Sequence, residues 1–143
     1  MNYKIEIIDG QTEDFLIYAK RESGVLKKIE ELLCKAEKTV FGYSDRTVCK
    51  LDTENTYCFF SEGGRVYALA SEGRFEVKER LYRLEETFSS DFIKINQSCL
   101  VNSSKIKRFE ASIGGSLLVI LKNGYKDYVS RRQLKSVKER IGF

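Results

Sequence analysis

Residues 92–104 read FIKINQSCLVNSS. Apolar residues flank a polar cluster of Asn96, Gln97, Ser98, Asn102, Ser103 and Ser104 that contains no acid. Asn, Gln and Ser are poor strand formers and are costly to bury without hydrogen-bond partners, so these amides and hydroxyls belong where the chain turns. Phe92–Ile95 then reads as a strand and Cys99–Val101 as a short strand or turn, with Phe92, Ile95, Leu100 and Val101 in the core. Asn102 reads as a turn residue that bonds its own backbone, with Ser103 and Ser104 in the same turn. Lys94, Lys105 and Lys107 surround the cluster.

Outward from this stretch the pattern stays mainly β. Downstream come strands over Lys105–Glu110, Ser116–Lys122 and Tyr125–Ser130. Asn123-Gly124 predicts a two-residue hairpin between the last two. Gln133–Ile141 predicts a short basic helix. Upstream, Leu81, Leu84 and Phe88 share one face of a helix over Glu79–Phe88, with Tyr82 and Arg83 pointing elsewhere. Period-two stretches rich in Val, Thr, Tyr and Phe predict strands over Thr39–Tyr43, Arg46–Asp52, Thr56–Ser61, Val66–Ala70 and Phe75–Lys78, with glycine turns in SEGGR (61–65) and SEGR (71–74).

The first forty residues read differently. Tyr3–Ile8 and Phe15–Ala19 predict short strands, and Ser23 is the candidate N-cap of a helix to about Lys38. Val25, Leu26, Ile29, Leu32, Leu33 and Ala36 recur at helical spacing, forming an apolar face for burial in the same domain or against a second copy. The change of period near residue 40 is the best boundary, giving an extension over 1–40 and a β domain over 41–143. No proline, low-complexity tract or repeat marks another.

The chain has 143 residues, which suits one domain, or one domain with an appendage, and is long enough to bury a real core. The N-terminus lacks the apolar core of a secretory signal and no apolar run could cross a bilayer, so a cytoplasmic protein is expected. Cys34, Cys49, Cys58 and Cys99 are scattered, with no C-x-x-C pair, and read as reduced, mostly buried thiols. The chain has 0 His. That removes Ser-His and Cys-His catalysis and leaves a zinc site little support, so no metal, cofactor or enzymatic activity is expected. An enzyme with Ser98 or Cys99 as nucleophile would need Lys94 or Lys105 strongly desolvated as base.

Charge is uneven. Residues 1–90 hold 14 Lys/Arg and 17 Asp/Glu, a net −3, and residues 91–143 hold 11 and 4, a net +7. A basic C-terminal portion points toward a polyanion. Three loops carry hydrogen-bonding groups at strand ends: EGGR (62–65), INQS (95–98) and VSRR (129–132).

FFSEGGRVYAL, LYRLEETFSSDFIKINQSCLVNSSKI and NGYKDYVSRRQLKSVKERI, in that order, resemble the LytTR family of transcription regulators over roughly residues 40–143. The resemblance implies a mainly β DNA-binding domain of small antiparallel sheets with two or three short helices. Loops at sheet ends would enter successive major grooves of double-stranded DNA. The family's base-reading positions fall on the SEGGR turn, taken here as Arg65, on Gln97 and on Arg131. Gly64 stands where some relatives have a larger polar residue, and Gln97 where Arg or Asn is often found, which bears on the preferred base. Many LytTR regulators carry a receiver domain in front, and about forty residues are too few for one, so the stand-alone type is expected. Relatives of this type are often restrained by a small membrane protein, a partner implied by resemblance alone.

The chemistry agrees with that reading. Arg131 can grip guanine O6 and N7 with two bonds, and Gln97 can pair with adenine N6 and N7. Asn96, Ser98 and Ser130 are short enough to bond phosphate oxygens and fix register. Lys94, Lys105, Lys107, Arg132 and Lys135 would supply salt-sensitive affinity. A homodimer would suit a repeated half-site. Alternatives stand beside these expectations: Arg131-Arg132 as a solvated strand end, Gln97 as a turn closer, and the protein as an interaction module whose basic face docks an acidic partner.

Overall fold

From Val40 onward the period-two pattern builds ten antiparallel strands. They are β1 (Val40–Ser44), β2 (Thr47–Leu51), β3 (Thr56–Glu62), β4 (Arg65–Ala70), β5 (Gly73–Val77), β6 (Phe92–Asn96), β7 (Cys99–Asn102), β8 (Ile106–Ala111), β9 (Leu117–Leu121) and β10 (Lys126–Val129). Among the described residues three helices accompany them, α1 (Gly24–Glu37), α2 (Leu81–Thr87) and α3 (Arg131–Ile141). The structure, a computed structural model, describes Lys4 and residues 17–143. The chain divides into two compact units, Met1–Cys34 and Lys35–Phe143.

The expected strand over residues 3–8 lies outside the described residues apart from Lys4, as do Phe15 and Leu16. Ile17–Ala19 form no strand. Ser23 caps α1 as expected, its Oγ accepting from Leu26 N at 3.2 Å. On the apolar face of α1, Val25 and Leu32 are exposed, at 43% and 67%, and Leu26 and Ile29 are half-buried. The side chains of Leu33 and Ala36 lie outside the description.

The strands make a seven-stranded sheet in the order β2-β1-β5-β4-β3-β7-β6 and a three-stranded sheet in the order β10-β9-β8. Alternation along the central strands divides the core. Cys58 and Phe60 of β3, Ile93 and Ile95 of β6, and Cys99 and Val101 of β7 pack with Leu117, Val119, Leu121 and Val129 of the smaller sheet and with Val137 of α3. Phe59, Phe92 and Leu100 point to the other face, against Leu84 of α2 and Phe88. There the rings of Phe59 and Phe92 lie 5.0 Å apart and those of Phe88 and Phe92 6.0 Å apart. Covered on both faces, the centre of the large sheet carries near-continuous apolar runs. Each fully buried Leu or Phe there contributes roughly 1.5–3 kcal/mol.

Asn102 bonds its own turn as expected. It also does more. Its Oδ1 accepts from Ser104 N and Ser104 Oγ at 3.1 and 2.8 Å, while its Nδ2 donates to Thr56 O at 2.9 Å, locking the end of β7 to the start of β3. A glycine is required at Gly42, where an added Cβ would meet Leu51 Cδ2 and Phe75 Cβ at 2.8 Å.

Several boundaries differ from expectation: α2 starts at Leu81 rather than Glu79, β5 at Gly73 rather than Phe75 and β8 at Ile106 rather than Lys105. The β9–β10 connection is a three-residue loop, because Leu121 N bonds Tyr125 O at 2.9 Å and Gly124 takes φ 89°, the left-handed conformation such loops need. The final helix starts at Arg131 rather than Gln133, since Ser130 already has the extended N-cap conformation and its carbonyl accepts from Gln133 N at 3.0 Å.

Candidate nucleic-acid interface

Three turns meet at one end of the two sheets. The β3–β4 hairpin turns through Gly63 and Gly64, whose φ angles of 60° and 77° give the tight two-residue turn in which only glycine is unstrained at both places. The β6–β7 hairpin turns through Gln97-Ser98 and is closed by Asn96, whose Oδ1 accepts from Ser98 N at 2.8 Å. The third is Ser130, between β10 and α3. Backbone bonds tie the Gln97-Ser98 turn to its neighbours: Ser61 N donates to Ser98 O at 2.9 Å, and Ser130 N donates to Ile95 O at 2.8 Å. The Gln97 turn therefore lies between Arg65 on one side and Arg131-Arg132 on the other.

The side chains at this end are available. Gln97, Arg131 and Arg132 are exposed, and none of the three forms a side-chain hydrogen bond or ion pair among the described residues. Arg131 and Arg132 occupy the first turn of α3, which contains no acid. Two guanidinium groups there add to the positive end of the helix dipole and favour an anion. The expected projection of Arg131 from a sheet end is corrected accordingly: it projects from the helix. Ser130 makes no capping bond with its hydroxyl, which leaves that oxygen for another partner. Lys135 follows one turn along α3, exposed, with Glu139 Oε1 4.0 Å away.

Arg65, Lys94 and Gln97 line one cleft of about 720 Å³. Arg65 Nη1 lies 3.6 Å from Glu76 Oε2, and Lys94 Nζ 3.7 Å from Glu85 Oε2. Lys78, Arg80 and Tyr82 also line it. Sequence reasoning passed over these three, because a charged run at a helix start looks like any solvated surface. Only the fold of α2 against the sheet brings them beside Gln97. The Arg83 guanidinium lies 6.0 Å from the centre of the exposed Tyr82 ring.

Other expected residues are placed differently. Asn96 is half-buried and already engaged, its Nδ2 donating to Tyr128 O at 2.9 Å, so it braces the turn. Lys105 and Lys107 are not brought to this end. Register pairs Ala111 of β8 with Leu117 and Leu117 with Val129, beside Ser130, whereas Lys105 O accepts from Lys122 N at the opposite end of the small sheet. At about 3.4 Å per residue, β8 separates Lys105 from the Ser130 end by roughly 20 Å. Lys105 is half-buried, with its Nζ 5.4 Å from the Tyr57 ring centre. The grouping of both lysines with Gln97 is thus corrected by strand register.

Cys99, once a candidate nucleophile, is fully buried, and its hydrogen bond with Cys58, followed by burial, pushes its pKa far up. A thiol kept protonated is inert. No helix of the described residues is long and apolar enough to cross a membrane.

Comparison with known proteins fits this architecture. The family model of the LytTr DNA-binding domain matches residues 46–142. An uncharacterised HTH-type transcriptional regulator of Staphylococcus aureus strain NCTC 8325 is 30% identical over 144 residues, covering 99% of this chain and 98% of the relative. A counterpart in strain MSSA476 is 31% identical over the same length. A solved LytTr DNA-binding domain from Bacillus cereus superimposes with a TM-score of 0.70 at 20% identity, covering 74% of this chain and 99% of that one. The relatives are named for a helix-turn-helix, yet here five strands separate α2 from α3.

Proposed function

Because the chain belongs to the LytTR family of DNA-binding domains, a family of binding modules rather than enzymes, we propose that it regulates transcription by reading a specific duplex sequence with the end of its sheets where the three turns meet. Arg65, Gln97 and Arg131 read base edges, Gln97 suiting adenine and the arginines guanine. Lys94, Ser98, Ser130, Arg132 and Lys135 hold phosphates and set register. Asn96 acts from behind, by holding the Gln97 turn.

One observation carries this reading: the Gln97 turn is hydrogen-bonded to strand ends on both sides, while the side chains of Gln97, Arg131 and Arg132 form no hydrogen bond or ion pair among the described residues. A rigid frame presenting uncommitted donors is what base readout needs. The exposed Val25 and Leu32 of α1 support pairing of two copies over a repeated half-site. A cytoplasmic location goes with the DNA partner.

Selection of bound sequences from a random duplex pool at near-physiological salt tests the proposal. A consensus is expected, and Gln97→Ala or Arg131→Ala should each weaken binding to it by roughly 1–3 kcal/mol while leaving scrambled DNA less affected. Binding without sequence preference refutes the reading and favours a basic surface for an acidic protein partner. Sedimentation of a monomer both free and on DNA refutes the pairing.

A further inference from the structure

Three carboxylates, Glu76, Glu79 and Glu85, line the cationic cleft, and Glu76 and Glu85 are the two that pair with a cation there. Glu76 comes from β5 and Glu85 from α2, and both line the cleft that contains Arg65, Lys94 and Gln97. Each is near a cation, Glu76 Oε2 at 3.6 Å from Arg65 and Glu85 Oε2 at 3.7 Å from Lys94, but neither pair closes to a short hydrogen bond. The Arg65 side chain is 66% exposed, so it has room to swing away. Lys78, Arg80, Arg131 and Arg132 have no such ion-pair partner among the described residues.

We propose that Glu76 and Glu85 are specificity-determining residues that occupy Arg65 and Lys94 until the correct sequence is present. This rests on the reading that Arg65 and Lys94 face DNA. A cation held by a carboxylate contributes little to a poorly registered phosphate, because the pair must open and the carboxylate then faces the polyanion. A guanine edge or phosphate in register offers a bidentate or short charged bond that replaces the lost partner. The carboxylates therefore weaken binding to arbitrary DNA more than binding to the operator, and discrimination is a difference of two affinities.

The experiment uses the full chain with Glu76→Gln, Glu85→Gln and the double variant. Affinity for the selected operator and for a scrambled duplex is measured across a salt series. Glu54→Gln serves as a control. It removes the same charge from the turn before β3, at the opposite end of that strand from Gly63. Each cleft variant should bind scrambled DNA about 3- to 10-fold tighter, with a log-log salt slope steeper by up to about one. Operator affinity should change by less than about twofold, lowering the specificity ratio by the difference. The control should leave both affinities unchanged, and melting curves confirm that all variants fold. Equal tightening on both duplexes, an equal effect from Glu54→Gln, or no change overturns the proposal. A wild-type protein that selects no sequence would instead overturn the proposed function. Arg65→Ala and Lys94→Ala variants with unchanged operator binding would remove the premise and the proposal together.

Discussion

Asn96 separates a bracing role from a DNA contact, and Asn96→Ala decides between them. Its amide makes two bonds, donating to Tyr128 O at 2.9 Å and accepting from Ser98 N at 2.8 Å. A net hydrogen bond contributes about 0.5–1.5 kcal/mol, and water can reach this half-exposed site, so the loss should fall near 1–2 kcal/mol. In a domain of this size that lowers Tm by roughly 5–10 °C. Thermal and urea melting give the stability, and hydrogen exchange at the Ser98 amide should rise because its acceptor is gone. Operator affinity should fall several-fold through the loosened Gln97 turn, with an unchanged salt slope because no phosphate contact is lost. Unchanged melting combined with a slope reduced by about one would refute the bracing role and make Asn96 a phosphate contact.

Because Arg132 and Lys135 sit at the start of α3, Arg132→Ala and Lys135→Ala should each reduce the salt slope of DNA binding by about 0.9, whereas strand register predicts that Lys105→Ala and Lys107→Ala leave it unchanged, measured by fluorescence anisotropy. Gly42→Ala forces a methyl against Leu51 and Phe75 at 2.8 Å and should destabilise the domain by about 1–3 kcal/mol in urea melts. The Cys99 pKa is raised in the folded state, so its contribution is fully present below the unfolded thiol pKa of about 8.5 and is lost as pH rises above it. Urea midpoints should fall from about pH 8.5 upward, and Cys99→Ala, less stable at neutral pH, should show a shallower fall.

Much of the fold could be read locally. Period-two alternation located the strands other than β7, and Leu81, Leu84 and Phe88 located α2, because burial on one face imposes its own repeat. β7, buried at all four positions, has no such repeat and reads as a short strand or turn. Boundaries slipped where a single backbone bond decided them, as with Ser130 O to Gln133 N at the start of α3 and Leu121 N to Tyr125 O in the β9–β10 loop. Gln97 and Arg131, the proposed contacts, stood out in the sequence because amides and paired arginines interrupt an apolar background, although the arginines belong to the first turn of α3. Lys78, Arg80 and Tyr82 could not, since nothing in a charged helix start says which surface it will face.

The amino-acid sequence by itself determined the class of protein: histidine-free, basic toward its C-terminus, mainly β, with loops of the LytTR pattern. Only the tertiary structure decided which polar residues share a surface. It joined Arg65, Gln97 and Arg131 through bonds between distant strands, turned Asn96 inward as a brace, and carried Lys105 and Lys107 to the other end. The reason is physical: side-chain type and spacing act over a few residues, whereas the pairing of β3 with β7 and of Ser130 with Ile95 is set by burial across the whole sheet.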